Sequence, residues 1–325
     1  MNIVLTGSLG NISKPLATEL IAKGHLVTVI SSKAERQKEI ETLGAKAAIG
    51  SIEDVNFLTT TFTGADIVYT MTPPSDVFNK NLDIYASNAN SVRIYKQAIQ
   101  QSGVTKVIHL STIGAHTNKG NGLLRWGYEA ESILKELPNT VSIKFMRPAG
   151  FYYNLLGFAE AIKTLSKGFV GTFMSLRYYG LSGFLSGKRG VLVSNVGGDT
   201  MNIMVSPLDI ASVIAEEIEK PFNGRTFRYI ASEEMTCDET AKILGEAIGK
   251  PYLKWGQISD KQLLNAMLKM GMNEQRAKGF IEMQAAGRKD GSGILVEDYY
   301  KHRPVLGKTK LKEYAKEFAK AYNKN

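Results

Sequence analysis

The sequence predicts a doubly wound α/β fold, a parallel sheet with helices on both faces, joined to a smaller and mainly helical C-terminal subdomain. Three observations predict it. Short β-branched runs alternate with longer helical patterns through the first 150 residues. A glycine-bearing turn stands directly after the first run, and beyond Gly150 the pattern changes to aromatic and helical segments.

The runs are Asn2 to Thr6, Leu26 to Ile30, Ala47 to Gly50, Asp66 to Met71, Lys106 to Leu110 and Val141 to Met146. Helical stretches lie between them, notably Asp76 to Gln101 and Arg125 to Leu137. Each parallel crossover has to travel back over the sheet, so this alternation places helices on both of its faces. Ser206 to Glu219 reads as a helix opened by Ser-Pro, and Thr226 to Ile230 as a strand that rejoins the sheet. The segment from Ser166 to Gly190 carries six glycines among aromatics such as Phe169, Phe173, Tyr178, Tyr179 and Phe184. It reads as a glycine-spaced apolar loop, either a lid or contact surface or an ordinary surface excursion.

With 325 residues, 43% of them hydrophobic, the chain can bury a large core without staples. Its single cysteine, Cys237, cannot form an internal disulfide and reads as structural. The histidines His25, His109, His116 and His302 show no metal-ligand spacing, so no metal is expected. No stretch approaches the roughly 20 apolar residues of a membrane span, and the opening apolar run is too short for a signal peptide, which makes the cytoplasm the expected compartment. The net charge of +9 is concentrated in residues 301–325, where eight basic residues meet two acidic ones. There Leu311, Tyr314, Ala315, Phe318, Ala319 and Tyr322 form one apolar stripe of a helix whose other face carries lysines. A docked helix with a solvated lysine face explains this charge better than a nucleic-acid or membrane patch.

The strongest motif is Thr6-Gly7-Ser8-Leu9-Gly10-Asn11-Ile12-Ser13, between the first strand and the first helix. Gly7 permits the tight turn, Gly10 lets the backbone approach a pyrophosphate, and Ser13 is small enough for helix to pack on strand. Free amides at the helix start then meet the phosphates, and Pro15 fits a first turn whose amides lack acceptors. This is a Rossmann-type dinucleotide turn. At the end of the second strand an NAD site would place a carboxylate on the ribose, but the chain reads Ser31-Ser32-Lys33 with Arg36 close behind. Hydroxyls and cations suit a 2′-phosphate, so NADP(H) is favoured over NAD(H). The dinucleotide domain is then expected to span 1–150, with 205–232 returning to it, while 151–204 and 233–325 form a substrate or lid subdomain.

Thr70-Met71-Thr72-Pro73-Pro74, His109-Leu110-Ser111-Thr112-Ile113-Gly114-Ala115 and Met146-Arg147-Pro148-Ala149-Gly150-Phe151-Tyr152-Tyr153-Asn154 follow at the ends of later strands. With the first turn, with Val205 to Ala211 and with Ser232 to Glu239, they resemble the NmrA-like branch of the atypical short-chain dehydrogenases/reductases. That resemblance implies a cofactor lying across Gly7, Leu9, Gly10, Asn11 and Ile12, then Ser31 to Lys33, Thr72 and Pro73, Ser111, and Pro148, Gly150 and Phe151. The family holds quinone and other small-molecule reductases as well as redox sensors that bind the dinucleotide without turnover.

Short-chain dehydrogenases pair a serine with Tyr-x-x-x-Lys, because the lysine lowers the tyrosine's pKa for proton exchange. Ser111 stands at the serine's place, and Tyr128 is the nearby tyrosine. Its fourth follower is Ser132 rather than lysine, and Glu129 and Glu131 would oppose its ionisation if close. Alcohol oxidation by that dyad is therefore not expected. Ser111 and Tyr128 remain the catalytic candidates as hydrogen-bond donors to a carbonyl. Phe151, Tyr152 and Tyr153, with Asn154, are the candidate wall for an aromatic or conjugated substrate. The leading expectation is an NADPH-dependent reductase of a quinone-like or conjugated carbonyl acceptor, with homo-oligomerisation left open. The alternative is a non-catalytic NADP(H) sensor acting through a protein partner, and a sugar-nucleotide epimerase ranks last.

Overall fold

The computed structural model describes residues 1–324 apart from 75, 77 and 289–292. Its centre is a seven-stranded sheet of β1 (Asn2–Leu5), β2 (Leu26–Ser31), β3 (Lys46–Ile49), β4 (Ile67–Met71), β5 (Lys106–Leu110), β6 (Ser142–Pro148) and, later in the chain, Arg225–Ile230. Between β6 and that last strand come β7 (Gly150–Phe151), β8 (Leu192–Ser194) and β9 (Met201–Val205), which makes Arg225–Ile230 β10. The order across the sheet is β3-β2-β1-β4-β5-β6-β10. Every pairing in it is parallel.

Parallel strands carry crossovers on both faces, so their side chains are buried on both sides. Ile3 and Leu5 point to one face, beneath α1 (Ser13–Ala22) and α8 (Pro207–Glu219), where Leu16, Leu20, Ile210 and Ile214 complete that core. Val4 points to the other face, beneath α3 (Val55–Phe62), α4 (Ile84–Ser102) and α5 (Arg125–Leu134), with Val68, Val92 and Phe145. The period of two along β1 thus feeds two cores. The short α2 (Gln37–Thr42) lies between β2 and β3.

The second half contains α6 (Gly157–Thr164), α7 (Gly168–Leu185), α9 (Cys237–Ala247), α10 (Asp260–Lys269), α11 (Glu274–Ala286), α12 (Ile294–Lys301) and α13 (Leu311–Asn323). β11 (Glu233–Thr236) joins β9 and β7 in a three-stranded sheet, and β12 (Trp255–Gln257) pairs with β8. A third core of Tyr152, Leu192, Leu244 and Trp255 is closed by Leu311, Ala315 and Phe318 of α13, the stripe the sequence marked.

Two expectations need correction. The helix expected from Asp76 begins at Ile84, where the Asp83 side chain accepts from the Ala86 amide and caps it. Val77, within the expected stretch, lies outside the described residues. The segment read as a glycine-spaced loop is the helix α7, broken only at Gly180 (φ 67°). Two of its glycines serve contact: a Cβ on Gly171 would lie 2.6 Å from the Ser166 backbone, and one on Gly183 would lie 2.6 Å from Tyr179 Cβ. No helix among the described residues is long and apolar enough to cross a membrane.

Candidate dinucleotide site

The strand order reverses direction between β1 and β4, and in open α/β sheets ligands bind at the carboxyl ends of strands beside such a point. All the turns singled out in the sequence follow strands of this sheet. Gly7 has φ 90°, and a Cβ there would lie 2.5 Å from Met71 Sδ and 2.6 Å from Ser13 Oγ. Glycine at 7 and a small residue at 13 are therefore both required. Ser13 Oγ donates to the Thr6 carbonyl at 2.9 Å, fastening the start of α1 to the end of β1.

Ser8 is the one non-glycine at positive φ (52°) among the described residues, a conformation that costs about 1–2 kcal/mol. Its amide donates to Ile30 O at 3.1 Å and its hydroxyl to Ser31 Oγ at 3.0 Å, which fixes the turn against β2. The Gly10 amide donates back to Gly7 O at 3.2 Å. Leu9 is half-buried, Gly10 and Asn11 are exposed, and Ile12 packs into the core. α1 has no acidic residue in its first turn and no side-chain cap, which suits an anionic phosphate at its start.

At the end of β2, Ser31 is buried while Ser32 and Lys33 are exposed. The Lys33 amide donates to Ser31 Oγ at 3.2 Å. Arg36 is less free than the sequence suggested: its Nη1 lies 2.6 Å from Glu39 Oε2, and Lys14 Nζ lies 3.0 Å from Glu39 Oε1. Hydrogen bonds from Lys14 and Arg36 hold the Glu39 carboxyl below the usual range. Exposed pairs of this kind are weak, so the two cations can rearrange toward a phosphate.

Along β4 and β5 and just beyond β4, buried polar atoms are left without partners. Tyr69 OH, Thr72 Oγ1 and His109 Nε2 have no hydrogen bond, although Thr70 Oγ1 lies 2.9 Å from His109 Nδ1. Burial drops the His109 pKa to about 4, so the ring is neutral. Orphaned groups at strand ends beside a phosphate turn fit a polar ligand. The residues present thus fit a dinucleotide. Pro73 is half-buried after Thr72. No group of three or more His, Cys, Asp or Glu among the described residues could hold a metal ion.

Ser111 is buried, and its hydroxyl donates to Glu131 Oε1 at 2.7 Å. Arg147 in turn donates from Nε and Nη2 to both Glu131 oxygens at 2.8 Å. Burial pushes the Glu131 carboxyl up, but Arg147 and Ser111 outweigh it and hold it below the usual range. Arg147 also lies 4.1 Å from the Phe227 ring centroid, and 3.5 Å from Tyr229 OH, which donates to Asp298. Sequence reasoning missed this network. A signal was present in Arg147, a charge within a strand buried on both faces, which demands a partner.

Tyr128 is half-buried on α5, and its hydroxyl has no hydrogen-bond partner among the described residues. α5 lies close against the 111–115 turn, for a Cβ on Gly127 would come within 2.5 Å of Thr112 Cγ2 and 3.5 Å of Ser111 Oγ. The Lys135 ammonium is 3.2 Å from Glu131 and serves that carboxylate.

Pro148, at the end of β6, is buried, and Gly150 pairs with Met204. The Phe151 and Tyr153 rings lie 5.0 Å apart at a tilt, both half-buried, and Asn154 is exposed. Tyr152 does not belong to this wall. It is 0% exposed, its hydroxyl donating to Glu233 Oε2 at 2.8 Å with the Thr309 carbonyl 3.1 Å away. The 3-10 turn over Tyr152–Leu156 sends consecutive side chains in different directions, which gives Tyr152 to the third core. Cys237, the first residue of α9, is also buried, and burial with Asp238 and Asp199 pushes its thiol up to about 12.

A family described as NAD(P)H-binding matches residues 7–149. The NAD(P)H azoreductase of Xenophilus azovorans is 22% identical over 297 residues, 90% of each chain. Among solved structures, the NADPH-dependent quinone oxidoreductase of Escherichia coli in complex with NADPH superposes with a TM-score of 0.69 at 17% identity, over 97% of this chain and 99% of its own. The Citrobacter triphenylmethane reductase complexed with NADP(H) gives 0.66 at 18% identity, over 98% of this chain and 100% of its own. At these identities the structures show a shared fold. Residues 7–149 of this chain thus match the NAD(P)H-binding family, on a Rossmann-type sheet whose fold these reductases share.

Proposed function

We propose that the protein is an NADPH-dependent reductase of a quinone-like or otherwise conjugated acceptor. The observation that carries this reading is the pairing of a complete phosphate turn with a dismantled alcohol dyad. Gly7, Ser8 and Gly10 are shaped for a pyrophosphate, whereas Ser132 stands where the lysine would and Ser111 is bound inward to Glu131. An acceptor whose charge is delocalised after reduction can draw its proton from water and needs little from a protein acid.

NADPH would supply the hydride. Ser31, Ser32 and Lys33, with Arg36 and Lys14 behind them, would take the 2′-phosphate, since no carboxylate stands directly after β2. Thr72 and Pro73, Ser111 and the Pro148–Phe151 turn would line the nicotinamide end. Phe151 and Tyr153 would stack on the acceptor, and Tyr128 would offer its unpartnered hydroxyl to the reduced oxygen or nitrogen. The relatives' names support the acceptor class, being those of azo, quinone and triphenylmethane reductases.

The test is NADPH consumption by the purified chain with menadione and with a conjugated aldehyde. Turnover with menadione is expected, and Tyr128→Phe should lower kcat with little change in cofactor affinity. Firm cofactor binding with no oxidation by any acceptor of this class would overturn the reading.

A further inference from the structure

α7 turns an apolar face to solvent that nothing else in the described chain covers. Phe169 is 87% exposed, Leu185 73% and Leu181 65%, with Phe173, Val170 and Leu176 at 40–54%. Phe169, Phe173 and Leu176 fall at i, i+4 and i+7, a single stripe. The opposite side is anchored: Tyr178 OH donates to Gln257 O at 3.2 Å, Lys254 donates to Tyr178 O at 3.1 Å, and the Tyr179 and Tyr252 rings meet at 5.6 Å. The helix is thus held to the body by one side while its most apolar side faces water, and an exposed patch of this kind marks a docking surface.

The chain segment that holds the stripe carries charge of one sign. Between Glu160 and Asp199 the chain carries Lys163, Lys167, Arg177, Lys188 and Arg189 and no acidic residue, a net +5. Lys163 pairs with Glu160, and the other four have no carboxylate partner among the described residues. Arg177 sits inside the helix, beside the stripe, while Lys167 precedes it and Lys188 and Arg189 follow it. Apolar rings and leucines rimmed by cations are the composition that lies in a bilayer interface over anionic headgroups.

We propose that α7 is a membrane-surface anchor that docks the protein on an anionic lipid bilayer. It cannot span one, being 18 residues long with Arg177 at its middle and a break at Gly180. A second copy of the chain fits the charge poorly, because a two-fold interface would set this cationic patch against itself. Anionic headgroups complement the rim, while the acyl boundary takes Phe169, Phe173 and Leu176. The anchor stands independently of whether hydride is transferred.

The experiment is co-sedimentation of the full chain with vesicles of phosphatidylcholine alone and of phosphatidylcholine mixed with phosphatidylglycerol. Binding to the mixed vesicles only, weakened by added salt, is expected. Phe169→Ser with Phe173→Ser should abolish it, and Lys167→Gln or Arg177→Gln should each cost roughly fivefold in affinity. All four side chains are exposed, so the variants should keep the wild-type melting temperature. Absence of binding to phosphatidylglycerol vesicles, or equal binding by wild type and variants, would overturn the proposal. So would a lipid-free dimer that the Phe169→Ser, Phe173→Ser variant splits into monomers, since a second copy would then cover the face.

Discussion

Ser111 and Glu131, twenty positions apart, are joined by a buried 2.7 Å hydrogen bond in which the serine donates. The residue at the expected catalytic position is thereby tied to a carboxylate that Arg147 grips with two further bonds. The pair fastens α5 to the ends of β5 and β6, the wall along which the nicotinamide end is proposed to lie.

Removing one member of the Glu131–Arg147 ion pair should be costly, because the other is left charged and buried. Glu131→Gln or Arg147→Met alone is expected to lose roughly 3–5 kcal/mol in urea unfolding. The double variant should lose clearly less than the sum of the two, since neither charge is then orphaned. An additive double variant would show that the two side chains act separately.

His109 gives the protein an acid-side sensitivity. The unfolded chain takes up the proton near pH 6.5, but burial delays it in the folded chain to about 4. Stability from this group is therefore complete above 6.5 and is lost as pH falls through that window, by roughly 3 kcal/mol in all. His116, also held below its ordinary value chiefly by burial, contributes with the same sign. Glu217 titrates lower, burial being outweighed by Lys144, Lys220 and Arg228, which hold it at about 2. Urea midpoints at pH 7 and pH 5 should therefore differ less in His109→Asn than in the wild type. An unchanged difference would mean that the ring is not buried neutral.

Tyr152 and Tyr153 are neighbours with different work. Tyr152→Phe removes the donor to half-buried Glu233 and should cost about 1–3 kcal/mol of stability while leaving the KM for acceptor unchanged. Tyr153→Ala should raise that KM with a smaller effect on folding. Equal KM effects at both positions would return Tyr152 to the substrate wall.

The parts of the fold that were legible in the sequence are those set by local pattern. β1, β4 and β5 are short β-branched runs, and the Gly7 turn declares itself because no other residue tolerates φ 90° against Met71 and Ser13. α13 was legible because its stripe alone decides which side is buried. What escaped was set by tertiary contact. The six glycines of 166–190 argue for a loop by propensity, yet Gly171 and Gly183 are there for close approach within a helix. Glu131 and Arg147 lie sixteen positions apart on different elements, and only the packing of α5 against β6 makes them partners. Tyr152 reads like its aromatic neighbours until a 3-10 turn points it inward.

The central claim is that the Gly7 turn and the Ser31–Lys33 edge hold NADPH. Titrating the purified chain with NADPH and with NADH, followed by nicotinamide fluorescence, tests it most directly. NADPH should bind at least about tenfold more tightly, a difference of about 1.4 kcal/mol, and Lys33→Glu should erase most of that preference. Equal or tighter binding of NADH, or no binding of either, would contradict it.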